Sequence, residues 1–184
     1  MRRIVPAEYR RMPWRNGCGT TTEIVVVTEG DRFVHRVSVA DVAIDGPFSR
    51  FDGYDRHIML PPGRGMTLDA GAHGIIELRE PLSPRVFSGD WAVVGTLVDG
   101  PVRDFNLIVD RARATASLDV CELADPATLV GAPETTCIVH VIDGQLQGAA
   151  AGDTLVAEGE ALTLLPRGAV RVAIARVTRL PSAP

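Results

Sequence analysis

The amino-acid sequence predicts an all-β fold, either a sandwich or a barrel. Short runs rich in β-branched and aromatic residues recur along the whole chain. Clusters of Gly, Pro and Asp separate these runs, and helix-type periodicity hardly appears. Many short strands at such spacing are typical of sandwiches and barrels.

The individual strands follow from these runs in chain order. Residues 22–28 and 33–40 flank the turn signal Glu29-Gly30-Asp31, which predicts a β-hairpin. Two segments, 6–12 and 125–130, are predicted as short helices, the second because Pro126 suits a first helical position. The remaining predicted strands cover residues 57–60, 65–68, 75–78, 86–87, 91–98, 105–109, 114–122, 136–141, 154–156, 161–164 and 169–177.

Length and charge limit the classes of protein. A chain of 184 residues with 46% hydrophobic content can bury a core without disulfides, so one domain or a doubled one is expected. The formal net charge is -4, from 19 basic residues, all arginine, and 23 acidic residues. Such a chain has no field that attracts a polyanion, so nucleic acid is not an expected partner.

The sequence also predicts a cytoplasmic protein without membrane contact. No apolar run approaches the roughly 20 residues that span a bilayer, and the start of the chain lacks the apolar stretch of a signal peptide. The chain has three cysteines, Cys18, Cys121 and Cys137, which is an odd number. They are widely separated in the sequence and show no C-x-x-C spacing. Reduced thiols are the simplest interpretation.

Aromatic residues occur only in the first 105 positions, and residues 106–184 have none. Because ligand pockets favour aromatic walls with a few polar groups, this distribution favours a binding site in the first part. A larger aromatic core without a site explains it equally well.

Three segments carry candidate site residues. Trp14 and Asn16 precede two glycines and a threonine run. The glycines either let the backbone approach a ligand closely or form a tight turn that enters the first strand. Strand alternation puts Arg36 and Ser38 on one face, where a guanidinium beside a hydroxyl suits a carboxylate, although a solvated strand face is the alternative. The third segment is residues 99–107.

In that third segment Asp104 and Asn106 share one face of a predicted strand and Phe105 lies on the other. Two neighbouring polar side chains can orient a ligand amide or imidazole. Asp and Asn are also common at turns and strand ends, so this segment alone decides nothing.

Taken together, these segments resemble the HutD/Ves family. Residues 13–24 resemble the family's Pro-Trp-Lys/Arg-Asn-Gly-Gly-Gly opening followed by Thr and Glu-Ile, with Cys18 replacing the middle glycine. His35 stands where the family's next strand usually has tryptophan. Further ordered matches are found at residues 35–40, 46–49, 53–56, 87–90 and 104–107.

The resemblance implies a cupin-type fold of double-stranded β-helix barrels, two-lobed and bicupin-like within one chain. Residues 1–110 would form the first barrel with the pocket, and residues 111–184 a second, smaller β lobe. Members are linked to bacterial histidine utilisation or stress induction and are thought to bind a small ligand. The implied ligand-binding residues and walls are Trp14, Asn16, Arg36, Ser38, Phe48, Arg56, Asp104, Phe105 and Asn106.

Metal and nucleophilic chemistry find little support in the sequence. The four histidines include no His-x-His pair, and nothing in the spacing supports a non-local set of His35, His57 and Glu77. There is no G-x-S-x-G elbow, and Cys18 stands at a family glycine position. We therefore expect no metal, no cofactor and no catalytic residue.

The first hypothesis is a non-catalytic or regulatory cupin that senses a small carboxylate such as urocanate or formiminoglutamate. A metal-independent enzyme acting on the same acids is the first alternative, with His57 or Asp104 as the available base. A structural or interaction protein without a ligand is the second. An exposed strand edge would allow a homodimer.

Overall fold

The computed structural model describes residues 1–14, 17 and 19–181, which form nineteen strands and two single-turn 3₁₀ helices, at Pro6–Glu8 and Gly71–His73. The strands are β1 Arg2–Ile4, β2 Arg10–Pro13, β3 Gly19–Glu29, β4 Arg32–Val42, β5 Gly46–Pro47, β6 Tyr54–Met59, β7 Gly65–Asp69, β8 Ile75–Leu78, β9 Arg85–Ser88, β10 Val94–Val98, β11 Val102–Asp110, β12 Ala114–Leu123, β13 Ala127–Leu129, β14 Thr135–Asp143, β15 Gln145–Leu146, β16 Ala149–Ala150, β17 Thr154–Glu158, β18 Leu162–Leu164 and β19 Val170–Arg179. The all-β prediction is confirmed.

The chain divides into two compact units. The first unit is residues 10–112, and the second unit combines residues 1–9 with residues 113–184. The sequence-based division placed residues 1–9 with the first lobe. They group with the second because β1 pairs antiparallel with β17, Arg3 lying opposite Leu155.

Two antiparallel sheets build the first unit. One has six strands in the order β2-β3-β4-β11-β6-β9, and the other has four in the order β5-β10-β7-β8. Buried side chains from both sheets share one apolar cluster, which includes Ile58 and Phe87 from the larger sheet and Met66 and Leu68 from the smaller. The inner faces of the two sheets therefore pack together.

The predicted hairpin is confirmed by β3 and β4, which pair antiparallel with Glu29 opposite Arg32. The turn places Gly30 at φ 64°, a left-handed conformation that glycine adopts without steric cost. This hairpin sets the register that later puts polar side chains of β4 on the inner face.

The two predicted helices are wrong. Only Pro6–Glu8 makes a helical turn, and Arg10–Pro13 continues as strand β2 paired with β3. Residues 127–129 form β13, which pairs with β18 and joins Thr128 Oγ1 to Thr163 Oγ1 at 3.1 Å. In both places pairing with a neighbouring strand outweighs the weak local helix signal, since short helices are marginal by themselves.

The second unit contains a five-stranded sheet in the order β1-β17-β14-β19-β12 and two two-stranded ribbons, β13-β18 and β15-β16. Its core is an aliphatic cluster to which Val139, Val172, Leu164 and Ile174 belong. Among the residues described in the whole chain, no helix is long and apolar enough to span a bilayer.

The N-terminal segment is fixed to the second unit by side chains as well as by β1. The Tyr9 hydroxyl donates to the Gly152 carbonyl at 2.5 Å and lies 2.8 Å from Thr154 Oγ1, which in turn lies 2.9 Å from His140 Nδ1. Arg3 pairs with the buried carboxylate of Asp153 at 2.8 Å.

Candidate functional site

A cavity of about 520 Å³ lies within the first unit. Its walls come from β3, β4, β6 and β11 of the six-stranded sheet, together with β5 and the segments beside it. The lining residues are Trp14, Thr21, Arg36, Ser38, Ala40, Val42, Ile44, Asp45, Gly46, Pro47, Phe48, Ser49, Phe51, Arg56, Asp104, Asn106 and Ile108.

Strand register explains why residues distant in sequence meet here. Ile108 of β11 lies opposite Arg36 of β4 on one side and Arg56 of β6 on the other. Asn106 lies opposite Ser38 in the next inward-facing row. Because directly opposite residues of an antiparallel pair project from the same face, one sheet face presents all of these groups to the cavity.

Arg56 is the most deeply buried cation of the site, with 4% of its surface exposed. Its Nη2 donates to Asn106 Oδ1 at 2.8 Å and its Nη1 to the Ser49 carbonyl at 3.3 Å. The guanidinium carbon lies 5.0 to 5.5 Å from the ring centroids of Phe48, Phe51 and Phe87. Burial lowers the pKa of Arg56 to about 10, a fall that the Asp104 carboxyl opposes and the Arg36 charge increases.

Asn106 connects Arg56 to Asp104. Its Nδ2 donates to Asp104 Oδ1 while its Oδ1 accepts from Arg56. Within the described ranges Asp104 has no direct ion pair, and it is 1% exposed. Burial therefore raises the pKa of Asp104 to about 7, although the Arg56 charge, the Ala40 backbone N–H and Asn106 act in the opposite direction.

Arg36 is half-buried in the cavity wall and rests on two rings. Its guanidinium carbon lies 5.2 Å from the Phe33 centroid and 5.1 Å from the Phe51 centroid. Its buried Nε has no hydrogen-bond partner among the described residues. Burial lowers the pKa of Arg36, and the nearby Glu23 carboxylate and Tyr54 hydroxyl partly restore it.

The cavity lining also includes Trp14, whose indole Nε1 donates to Thr21 Oγ1 at 2.8 Å. Gly19 allows this packing, because a Cβ there would lie 2.5 Å from the Asp41 carbonyl and 2.8 Å from the Trp14 ring. Gly19 is therefore required for the Trp14 indole to pack against the backbone at this position.

The 87–90 segment has a structural role next to the cavity. Asp90 accepts from Arg111 at 2.5 Å, from the Gly53 N–H at 2.6 Å and from the Ser88 hydroxyl at 2.9 Å. These hydrogen bonds lower the pKa of Asp90 to about 2, and the bond from Arg111 has the largest effect. They fasten the loop that carries Phe51 and the strand that carries Arg56.

The structure brings most of the predicted site residues together. Trp14, Arg36, Ser38, Phe48, Arg56, Asp104 and Asn106 all line the cavity. Phe105 does not, which corrects its expected role as a wall, because it alternates to the opposite face of β11 and is buried there. Asn16 and Cys18 lie outside the described residues.

Sequence reasoning missed Thr21, Asp45 and Phe51. Thr21 lies opposite Ala40, which lies opposite Asp104, so the β3 register would have identified it. Asp45 Oδ1 accepts from the Leu97 N–H at 2.8 Å. Phe51 could have been predicted from its position three residues after Phe48, since both rings line the cavity.

In the part of the chain that the structure describes, no three His, Cys, Asp or Glu side chains are grouped closely enough to hold an ion. His35 and His57 are buried in the larger sheet, whereas Glu77 is exposed on β8 of the smaller one.

Sequence comparisons identify relatives of the chain. A model of the HutD family matches residues 6–180. An uncharacterized 21.2 kDa protein from the region 3′ of hutC in Pseudomonas putida is 42% identical over 113 residues, covering 60% of this chain and 59% of that protein. The protein Ves of Citrobacter koseri is 35% identical over 120 residues, covering 62% of each. The match thus spans about three fifths of the length of these relatives.

Solved structures extend the similarity to the whole fold. A conserved protein of unknown function from Pseudomonas aeruginosa PAO1 superposes with a TM-score of 0.84 at 34% identity, covering 96% of this chain and 98% of that one. HutD from Pseudomonas fluorescens SBW25 superposes with a TM-score of 0.82 at 31% sequence identity, and the match covers 98% of this chain and 99% of that one. The pirin YhhW of Escherichia coli, a cupin-like protein, shares only the fold. It superposes with a TM-score of 0.67 at 9% sequence identity, and the match covers 97% of this chain and 99% of that one.

Proposed function

Since this chain belongs to the HutD family, which is associated with histidine utilisation, we propose that it binds a small carboxylate intermediate of histidine breakdown. Urocanate and formiminoglutamate represent the expected ligand type. The proposed role is non-catalytic or regulatory, with the bound acid reporting flux through the pathway.

The observation that carries this proposal is the Arg36 guanidinium in the cavity wall. Burial removes part of it from water, and Nε has no partner among the described residues. A desolvated cation is costly unless an anion compensates it, and the nearby Glu23 carboxylate does so only in part. A guanidinium binds a further carboxylate through two parallel hydrogen bonds. The neighbouring Ser38 hydroxyl supplies a further donor in the same wall.

The remaining lining suits a planar, nitrogen-containing ligand end. Trp14 and Phe48 offer ring faces to the cavity, and Asp104 and Asn106 together offer hydrogen-bonding atoms. A volume of about 520 Å³ lies in the range of small-molecule sites. A ligand-free structural role predicts an apolar interior instead, so these inward polar groups count against that alternative.

The proposal has further parts. It takes each unit as a cupin-type barrel, so that the chain is bicupin-like, and it assigns the protein to the cytoplasm because Cys121 and Cys137 are free thiols. Pairing of exposed strand edges into a homodimer belongs to it as well. Size-exclusion chromatography with light scattering tests the dimer.

Calorimetric titration tests the ligand. We expect urocanate or formiminoglutamate to bind the wild-type protein, and Arg36→Ala to weaken binding by about 10- to 100-fold, the usual value of a charged hydrogen-bonded pair. The matched control is Arg171→Ala, which removes an arginine paired with Glu122 in the second unit. Formate is a minimal probe, since the HutD from P. fluorescens was solved in a formate condition.

Equal heats from the wild type and Arg36→Ala would remove Arg36 from the pocket. An absence of binding by all these acids would remove the ligand class.

A second candidate is a metal-independent enzyme acting on the same acids, and Asp104 favours it. A carboxyl at the cavity with a pKa of about 7 meets the requirement for a general acid or base near neutral pH. Turnover of urocanate or formiminoglutamate followed by proton NMR, abolished by Asp104→Asn, would support this candidate. Unchanged spectra over a long incubation would exclude it for these acids.

A further inference from the structure

We propose that Asp104 takes up a proton when a carboxylate ligand enters the cavity, so that the ligand binds more tightly as the pH falls through neutrality. This inference rests on the proposed function, since it concerns how the same site is regulated. It also narrows the proposed ligand to an anion that brings no cation to Asp104. Urocanate, whose imidazole is mostly neutral near pH 7, meets this condition, whereas formiminoglutamate bound with its cationic formimino group against Asp104 does not.

Asp104 is surrounded by neutral hydrogen-bond donors among the described residues. Its carboxyl is fully buried, and the groups that donate to it are neutral, namely the Asn106 amide and the Ala40 N–H. Arg56 reaches it only through Asn106, whose oxygen accepts the guanidinium bond at 2.8 Å. The structure therefore compensates the Asp104 charge indirectly, and the protonated and ionised forms are close in free energy.

A bound carboxylate would add a second negative charge near Asp104. A carboxylate bound to Arg36 would share the cavity with Asp104, since both residues line it. Two carboxylates in such a space repel each other strongly, as in sites where one of a pair is held protonated. Binding therefore favours the neutral form of Asp104.

The other charged groups near Asp104 do not reverse this sign. Among the described residues, Arg36 from β4 and Arg56 from β6 are the cations, and Glu23 from β3 interacts with Arg36. The Asp41 carboxylate pairs with Arg103 at 2.8 Å, and that of Asp45 accepts the Leu97 N–H. Of these carboxylates, Asp41 acts on Asp104 and disfavours a negative charge there.

The proton balance follows directly. The ligand enters as its carboxylate, Asp104 is partly ionised beforehand, and the complex contains the ligand anion with a neutral Asp104, so a fraction of one proton is taken from solvent. A pKa of about 7 in the unliganded protein places this exchange near neutral pH. Simple carboxylic acids are fully ionised there, so they contribute no protons themselves.

The experiment is calorimetric titration of formate and cinnamate, neither of which titrates near neutral pH, at pH 6, 7 and 8. Each titration is run in MOPS and in bis-tris propane, whose ionisation enthalpies differ and neither of which is a carboxylate or a phosphate. For the wild type we expect Kd to rise up to tenfold per pH unit above the Asp104 pKa, with net proton uptake near pH 7. Asp104→Asn should bind without proton uptake and without pH dependence.

The control variant is Asp119→Asn, which removes an exposed carboxylate of the second unit and should behave as the wild type. A second measurement keeps the proposal testable if Asp104→Asn does not fold: the ¹³C titration of the Asp104 carboxyl in wild-type protein should move to higher pH on saturation with cinnamate.

Three outcomes overturn the proposal. The first is wild-type binding that is independent of pH, and the second is binding that tightens as the pH rises, which would mean that Asp104 pairs with a cation. Both leave carboxylate binding intact. The third is an absence of binding at every pH, which removes the proposed function as well.

Discussion

The two units use antiparallel sheets in opposite ways. In the first unit the central strands β4, β6 and β11 direct Arg36, Arg56 and Asp104 into a cavity. In the second, the central strands β14 and β19 supply Val139 and Val172 to an aliphatic cluster. An antiparallel strand arrangement alone thus does not decide whether the interior encloses a cavity or is filled by side chains.

Side-chain shape explains the difference. Branched aliphatic side chains interdigitate closely, as protein interiors require. Aromatic rings and guanidinium groups stack as planes, and in the first unit Phe48 and Phe51 contact Arg56 while leaving space beside them. The composition shift along the chain, aromatic before residue 106 and aliphatic after it, corresponds to the cavity in one unit and the aliphatic core in the other.

The largest expected effect comes from opening a hole in the aliphatic core. Leu164 is 1% exposed in the second unit, so Leu164→Ala should lower the free energy of unfolding by about 2 to 5 kcal/mol in urea titrations. The neighbouring Leu165 is 39% exposed, and Leu165→Ala is the control, expected to change stability by about 0.5 kcal/mol or less. Equal losses would mean that the aliphatic core is not tightly packed.

The two units should also differ in their response to acid. Burial lowers the pKa of His140 in the second unit to about 4, below its ordinary 6.5, with Asp153 opposing the shift. The unfolded chain therefore binds a proton that the folded one does not, and stability should fall by roughly 3 kcal/mol as the pH drops from 6.5 to 4. Urea midpoints measured over this range should depend less on pH in His140→Asn. An identical slope would assign the loss to other groups.

A smaller effect tests the rings of the first unit. Phe51 stacks on both Arg36 and Arg56, so Phe51→Leu keeps an apolar side chain and removes the cation–π contacts, worth about 0.5 to 2 kcal/mol. Carboxylate binding should weaken several-fold by calorimetry. Phe33→Leu, which removes a ring from Arg36 only, should weaken it less. The reverse order would contradict the two-cation role of Phe51.

The smallest effect concerns the Trp14 indole in the cavity lining. Trp14→Phe retains a ring but loses the hydrogen bond to Thr21, worth about 1 kcal/mol. We expect a small fall in the urea midpoint. Thr21→Val should produce a similar fall, and the double variant should lose less than the sum of the two. Strict additivity would indicate that the two groups are not coupled.

Much of the site followed from the sequence because strand alternation is local. Arg36 and Ser38, or Asp104 and Asn106, share a face whatever their partners are. Which strands become neighbours is not local, so the meeting of Thr21, Ala40 and Asp104 required the register of β3, β4 and β11.

The misassigned segments have the same cause. Arg10–Pro13 and Ala127–Leu129 are too short to reveal their periodicity, and only the pairing partners β3 and β18 make them strands. Phe105 was placed correctly on its own face but was still counted as a wall, which the alternation rule itself excludes.

The pairing of β1 with β17 has a consequence for how the chain folds. During synthesis Arg2–Ile4 leaves the ribosome long before Thr154–Glu158 exists, so an edge strand of the second unit must wait for its partner while the whole of residues 10–112 is made. The nascent first unit can meanwhile acquire its structure. A bulky fusion at the amino terminus would then impede the late-forming aliphatic unit and spare the one that encloses the cavity.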